Sequence, residues 1–183
     1  MPHTQLKTIQ TIQNGIDQIT TLTGRAIAWL TLAMVIVTFS IVVLRYLFNT
    51  GWIAMQESVI YMHAIVFMLG AAVTLKDNAH VRVDIFYQRM NAKQKAMIDL
   101  LGTLLFLLPV CLFILWSSWD YVTGSWDIQE ASPEAGGLPW IYWLKTCIPA
   151  MGILIILQAI ANMLGNIITI RSIPASSGTQ QHG

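Results

Sequence analysis

Four apolar stretches, each long enough to cross a lipid bilayer, dominate the sequence. They cover about residues 26–47, 53–75, 97–119 and 140–168. A helix needs about 20 apolar residues to cross the hydrocarbon core, because each residue advances it by about 1.5 Å. Backbone polar groups in lipid must be hydrogen-bonded within their own segment, so each stretch is predicted to be a helix. The predicted fold class is therefore all-α, an integral membrane protein with four helices.

The composition agrees with lipid as the main solvent. Only 10% of the 183 residues are charged, whereas a soluble domain carries about 25%. The net charge of +1 argues against a nucleic-acid partner, which requires a broad basic surface. Cys111 and Cys147 lie inside apolar stretches and are interpreted as packing residues.

The distribution of basic residues predicts the topology. The loop at residues 76–96 is basic, whereas the loop at 120–139 has no Lys or Arg and four acidic residues. By the positive-inside rule, the 76–96 loop and both chain ends are predicted to be cytoplasmic. The basic residues of that loop are Lys76, Arg82, Arg89, Lys93 and Lys95.

The two ends of the chain are predicted to lie outside the membrane domain of residues 26–168. In residues 1–25, Leu and Ile recur at three- and four-residue spacing. This pattern predicts an amphipathic helix lying on the inner membrane face, in contact with lipid; the alternative is a frayed polar tail. Residues 169–183, rich in Ser, Gly and Gln towards the end, are predicted to be a disordered cytoplasmic tail.

Three charged or histidine residues lie more than two residues inside the ends of the spans, and such residues suggest a function because their burial in lipid is costly. Glu57 and Lys145 lie at similar depth near the outer membrane face. They are candidates for an ion pair, within the bundle or with another subunit. The alternative is that each side chain extends to the membrane surface.

The third ionisable residue, His63, lies near the middle of the second span. We interpret it as a hydrogen-bonding residue between helices, with a proton relay or a haem ligand as alternatives. A haem held by two histidines requires a second one at matching depth, and the remaining histidines lie in the 76–96 loop and the tails. No catalytic motif is recognised, so we expect neither an enzyme nor a bound cofactor.

Local signals refine the helices. Asn91 and Gln94 fit a capping box that begins the third helix near Ala92, and Pro109 is expected to kink that helix. Two pairs of small residues with four-residue spacing, Gly70–Thr74 and Ala161–Gly165, allow close helix contacts. The pattern does not distinguish contacts inside the bundle from a docking face.

The stretch from Glu57 to Asp84 reads ESVIYMHAIVFMLGAAVTLKDNAHVRVD, and GLPW follows at Gly137–Trp140. The last span contains IPAMGILIILQAI. In this order and spacing, these segments resemble the small (Q-type) membrane subunit of TRAP transporters, the tripartite ATP-independent periplasmic transporters. The resemblance extends from about Trp29 to Leu164.

The resemblance implies a role that the composition does not reveal. Members of this family are non-enzymatic accessory subunits that scaffold a large membrane subunit in the bacterial inner membrane. A periplasmic substrate-binding protein delivers an organic acid, and the large subunit uses a sodium gradient. The alternative is a haem-binding electron-transfer membrane anchor.

The resemblance also marks positions as structural or interface residues. These are Glu57, the cluster of His80, Arg82 and Asp84, and the turn formed by Gly137, Leu138, Pro139 and Trp140. In the cluster of His80, Arg82 and Asp84, Arg82 and Asp84 are expected to pair and hold the turn of the chain at the inner interface. The alternative is a solvated charged loop. The acidic 120–139 loop is either a docking surface for the binding protein or a simple connector.

Overall fold

The computed structural model describes residues 3–80 and 87–172. Its four long helices are α1 His3–Leu47, α2 Ile53–Lys76, α3 Ala92–Asp127 and α4 Ile141–Ser172. Each is long and apolar enough to cross a membrane, and the described residues contain no strand. The predicted all-α, four-helix membrane fold is therefore confirmed.

α1 is one continuous helix of 45 residues. At about 1.5 Å per residue it is about 68 Å long, more than twice the thickness of the hydrocarbon core. The structure has no break near residue 25, where the sequence suggested that a separate surface helix ends. Thr20, in the segment predicted to lie on the membrane, is only 1% exposed. Contact of this segment with the inner membrane face stays a prediction.

α4 is the centre of the arrangement. It packs against α1, α2 and α3, and α1 also packs against α2. Within the described residues α3 has no comparable contact with α1 or α2. Glycines allow two of the close approaches, because a Cβ on Gly24 of α1 would lie 3.2 Å from Val73 of α2, and one on Gly152 of α4 would lie 3.0 Å from Leu115 of α3.

α3 begins as predicted and changes its winding before Pro109. Asn91 and Gln94 form the expected capping box. Residues Thr103–Leu107 form a π-helical turn, whose last bond runs from the Leu108 N–H to the Thr103 carbonyl. Pro109 has no N–H and its ring crowds the carbonyl four residues earlier, so a wider turn there relieves the conflict without ending the helix.

The helices extend further than the apolar stretches. α3 continues to Asp127 and α4 to Ser172, so residues 169–172 of the predicted disordered tail are helical, and 173–183 lie outside the described residues. We call the end of the bundle that holds residues 128–140 the loop end. The end where α1 begins and α4 finishes is the tail end.

Candidate functional site

Glu57 fixes the loop between α3 and α4. Its Oε2 accepts a hydrogen bond from the Leu138 N–H at 2.6 Å, and its Oε1 accepts one from the Ser132 hydroxyl. The Ser132 N–H in turn donates to the Leu138 carbonyl at 3.0 Å. A carboxylate in the first turns of α2 therefore holds two separate segments of the loop together. We call Glu57, Ser132 and Leu138 the loop clamp.

Two glycines are required beside the clamp. A methyl group on Gly137 would lie 2.6 Å from Ser132 Cβ and 2.8 Å from Glu57 Oε1, so a larger residue would separate the clamp. Gly136 has a φ of +81°, a conformation that residues with a Cβ rarely adopt. The predicted Gly137–Trp140 turn thus has a physical basis: its first residue permits contact, and Leu138 provides the N–H.

The rest of the turn leads into α4. Pro139 and Trp140 are exposed, and the Trp140 carbonyl accepts bonds from the N–H groups of Trp143 and Leu144. The Ile141 N–H donates to the Glu130 carbonyl at 3.1 Å. These bonds fix where α4 begins relative to the end of α3.

Lys145 forms an ion pair with Glu130. The Oε2 of Glu130 also accepts a hydrogen bond from the Ser125 hydroxyl. The Lys145 Nζ lies 4.0 Å from the centre of the Tyr121 ring. The ion pair expected between Glu57 and Lys145 within the bundle is therefore wrong, because Glu57 is used by the loop and Lys145 has a nearer carboxylate. Glu130 was missed by the sequence analysis because it lies in the loop and not in a span.

This second contact group stabilises the same loop. Hydrogen bonds from Lys145, then from Ser125, lower the pKa of Glu130 below its ordinary value of 4.5. Trp126 packs edge-on against Tyr142 and Trp143, with ring centres 4.7 and 5.1 Å apart. Its indole N–H donates to Thr146 at 2.9 Å. These contacts join the end of α3 to the first turns of α4.

A buried polar network joins three helices towards the tail end. Gln158 of α4 is fully buried. Its Oε1 accepts from the Thr20 hydroxyl at 2.7 Å, and its Nε2 donates to Asp17 at 2.9 Å and to Asn162 at 3.1 Å. Asn162 also donates to the Leu75 carbonyl of α2 at 3.4 Å. Both polar atoms of the Gln158 side chain thus bond to α1, and Asn162 extends the network to α2.

This network was not predicted from the sequence, because only ionisable residues inside the four spans were considered and Asp17 lies before the first span. A signal was present: Gln158 and Asn162 are four residues apart in an apolar stretch, so they share a helix face. Asp17 and Thr20 share a face of the N-terminal segment in the same way. A polar face on each helix is what a buried hydrogen-bonded pair of helices requires.

His63 is not placed between helices of this chain. Its side chain is exposed on α2, and its ring stacks on Phe67 with centres 6.3 Å apart. It has no hydrogen bond to any described residue, so the predicted bond to another helix of the bundle is wrong. No second histidine among residues 3–80 and 87–172 lies at the depth of His63.

The predicted cytoplasmic cluster is only partly described. His80 is exposed just beyond the end of α2. Arg82 and Asp84 lie outside the described residues, so their pairing stays a prediction.

These features first define a class: a multi-pass membrane protein whose helices are held by an ordered loop at one end and a polar network towards the other. A model of the family described as "Tripartite ATP-independent periplasmic transporters, DctQ component" matches residues 34–169. The chain therefore belongs to this family of TRAP transporter components and is a multi-pass protein of the inner membrane. The predicted resemblance to the Q-type subunit is confirmed.

One relative carries a more specific name. The C4-dicarboxylate TRAP transporter small permease protein DctQ of Vibrio cholerae serotype O1 (strain ATCC 39315 / El Tor Inaba N16961) is 30% identical over 89 residues. The match covers 49% of this chain and 38% of the relative. Neither comparison supports the haem-anchor alternative.

Proposed function

We propose that the chain is the accessory scaffold subunit of a TRAP-type secondary transporter, and not an enzyme. Its partners are the large membrane subunit and a periplasmic substrate-binding protein. The substrate is an organic acid that the binding protein delivers. A sodium gradient used by the large subunit drives uptake, and this chain binds no cofactor.

The observation that carries this proposal is the use of Glu57 and Gln158. Both are polar groups of the kind that bind substrate in membrane transporters. Here each accepts or donates hydrogen bonds within the chain, Glu57 to the loop and Gln158 to α1 and within α4. Groups engaged in this way fix the shape of the subunit, which is the property that a scaffold needs.

The charge distribution supports an orientation for the scaffold. The basic 76–96 loop and the tail end lie in the cytoplasm by the positive-inside rule. The loop end then faces the periplasm, where the substrate-binding protein approaches. The loop clamp gives this surface a fixed shape, and Glu134 adds an exposed acidic side chain for docking.

Reconstitution into proteoliposomes tests the proposal. Uptake of a radiolabelled organic acid is measured with the binding protein and an inward sodium gradient, with and without this chain beside the large subunit. We expect uptake only when all three proteins are present. Equal uptake without this chain would contradict a required scaffold, and a haem absorption band in the purified protein would favour the electron-transfer alternative.

A further inference from the structure

One face of α2 is left uncovered by the described residues of the chain, 3–80 and 87–172. Four residues of the helix are exposed: Gln56, Ile60, His63 and Phe67. At 3.6 residues per turn they fall within a stripe about 60° wide. We call these four residues the α2 stripe.

The flanks of the stripe are occupied. On one side Val73 packs against Gly24 of α1. On the other, the Leu75 carbonyl accepts a bond from Asn162 of α4, and Glu57 holds the loop. The stripe is thus the face that α2 turns away from both neighbours.

A polar group lies in the centre of this face. His63 is ten residues after Ile53, the start of α2, hence about 15 Å along a helix of 24 residues. The ring stacks on Phe67, and its polar nitrogens have no hydrogen bond to any residue that the structure describes. Hydrocarbon chains neither donate nor accept hydrogen bonds, so an imidazole facing them at this depth is costly. The chemistry of the stripe therefore requires a protein partner that carries a polar group.

Gly70 extends the stripe and offers a close approach. It lies seven residues after His63, two turns along the same face. A Cβ built on Gly70 meets no atom within 4 Å, whereas one on Gly165 of the other small pair would lie 3.2 Å from Gln13 of α1. The Ala161–Gly165 pair is used inside the bundle, and Gly70 is open to another helix.

We propose that the α2 stripe docks against a transmembrane helix of the large TRAP subunit. That helix crosses over Gly70 and presents a hydrogen-bonding group to His63 at mid-membrane. The inference rests on the proposed function, which supplies a membrane partner for this chain. It assigns one face of one helix as the contact surface.

Photo-crosslinking tests the contact directly. p-Benzoylphenylalanine replaces Phe67, Phe39 of α1 or Phe106 of α3, which are 72%, 68% and 72% exposed. The three variants are co-expressed with the large subunit and irradiated in membranes. We expect a crosslink to the large subunit several-fold stronger from position 67 than from the two matched controls. Equal or weaker crosslinking from position 67, or a crosslink between two copies of this chain, would overturn the inference.

Two substitutions give a second measurement. A Cβ at Gly70, or at its control position Gly102, meets no atom within 4 Å, so both the Gly70→Leu and the Gly102→Leu variants are expected to fold. Overpacking at a tight interface should lower recovery of the large subunit about tenfold for Gly70→Leu and leave the control unchanged. His63→Leu should lower it about threefold or more, the effect of one interhelical hydrogen bond, with His63→Gln retaining part of the binding.

The baseline separates the two proposals. If the wild-type chain recovers no large subunit, the proposed function fails. If the wild type recovers it and Gly70→Leu does so equally well, the function stands and the α2 stripe is not the contact.

Discussion

Replacing Glu57 by Gln is expected to release the loop between α3 and α4. The two carboxylate oxygens each accept one bond, from the Leu138 N–H and from the Ser132 hydroxyl. Glutamine keeps one oxygen for the Leu138 N–H and presents an NH₂ group that can only donate, to Ser132 Oγ. Both bonds then lose the charge of the carboxylate, and since bonds to charged groups are stronger than neutral ones, the change costs about 1.5–3 kcal/mol in total.

That cost predicts the rate at which the loop opens. Since each 1.4 kcal/mol is about tenfold in an equilibrium constant, the Leu138 amide should exchange about 10- to 150-fold faster with solvent deuterium. Hydrogen–deuterium exchange of the purified protein in detergent, followed on peptides covering residues 130–140, measures this rate. Glu134→Gln is the matched control, because it removes the same charge from an exposed position in the same loop.

The comparison with the control decides the outcome. We expect fast exchange in Glu57→Gln and wild-type exchange in Glu134→Gln. If the two variants exchange alike, the loop is not held by Glu57, and the clamp does not explain the Gly137–Trp140 turn.

Three further predictions concern the same framework. Gly137→Ala overpacks the clamp and should lower the free energy of unfolding by about 1–3 kcal/mol and the Tm by about 2–10 °C. Gly51→Ala, with no atom within 4 Å of its Cβ, should leave the Tm unchanged, and equal Tm values for the two variants would refute the steric reasoning. Because the folded pKa of Glu130 is below 4.5, its stabilising pair is present above that pH and is lost as the pH falls through the folded value. The Tm difference between wild type and Glu130→Gln should therefore shrink below pH 4.5, and a constant difference would count against the pair. Gln158→Leu leaves buried groups without partners and should destabilise by about 1–3 kcal/mol; the exposed Gln18→Leu is its control in thermal unfolding, and equal stability would show that the network contributes little.

The apolar length of each span could be predicted from the sequence, and the full helices could not. Hydropathy detects the part of a helix that contacts lipid. α1 continues to His3 because a polar face of its first half packs against α4 through Asp17 and Thr20. Such a face has the composition of a surface segment, so the sequence suggested a separate helix on the membrane.

The ionisable residues were found, but their partners were not. Position along a helix gives the depth of Glu57 and Lys145, not the direction in which each side chain points. It also says nothing of how residues 128–140 fold back. Glu130 and Ser132, which the structure places beside these two residues, lie in that loop, where local hydrogen bonds and not hydropathy determine the conformation.

His63 shows the opposite case. The sequence places a polar ring near the middle of the second span, and the expectation of a partner within the bundle came from the cost of leaving it unpaired. The structure places it on an outer face of α2, so the same cost now indicates a partner outside the chain.

Co-purification from native membranes tests the central claim most directly. The tagged chain is extracted in mild detergent, and the proteins recovered with it are identified and quantified by mass spectrometry. The account predicts one large polytopic TRAP membrane subunit in stoichiometric amount. Recovery of the chain alone, or with haem-containing redox proteins, would contradict it.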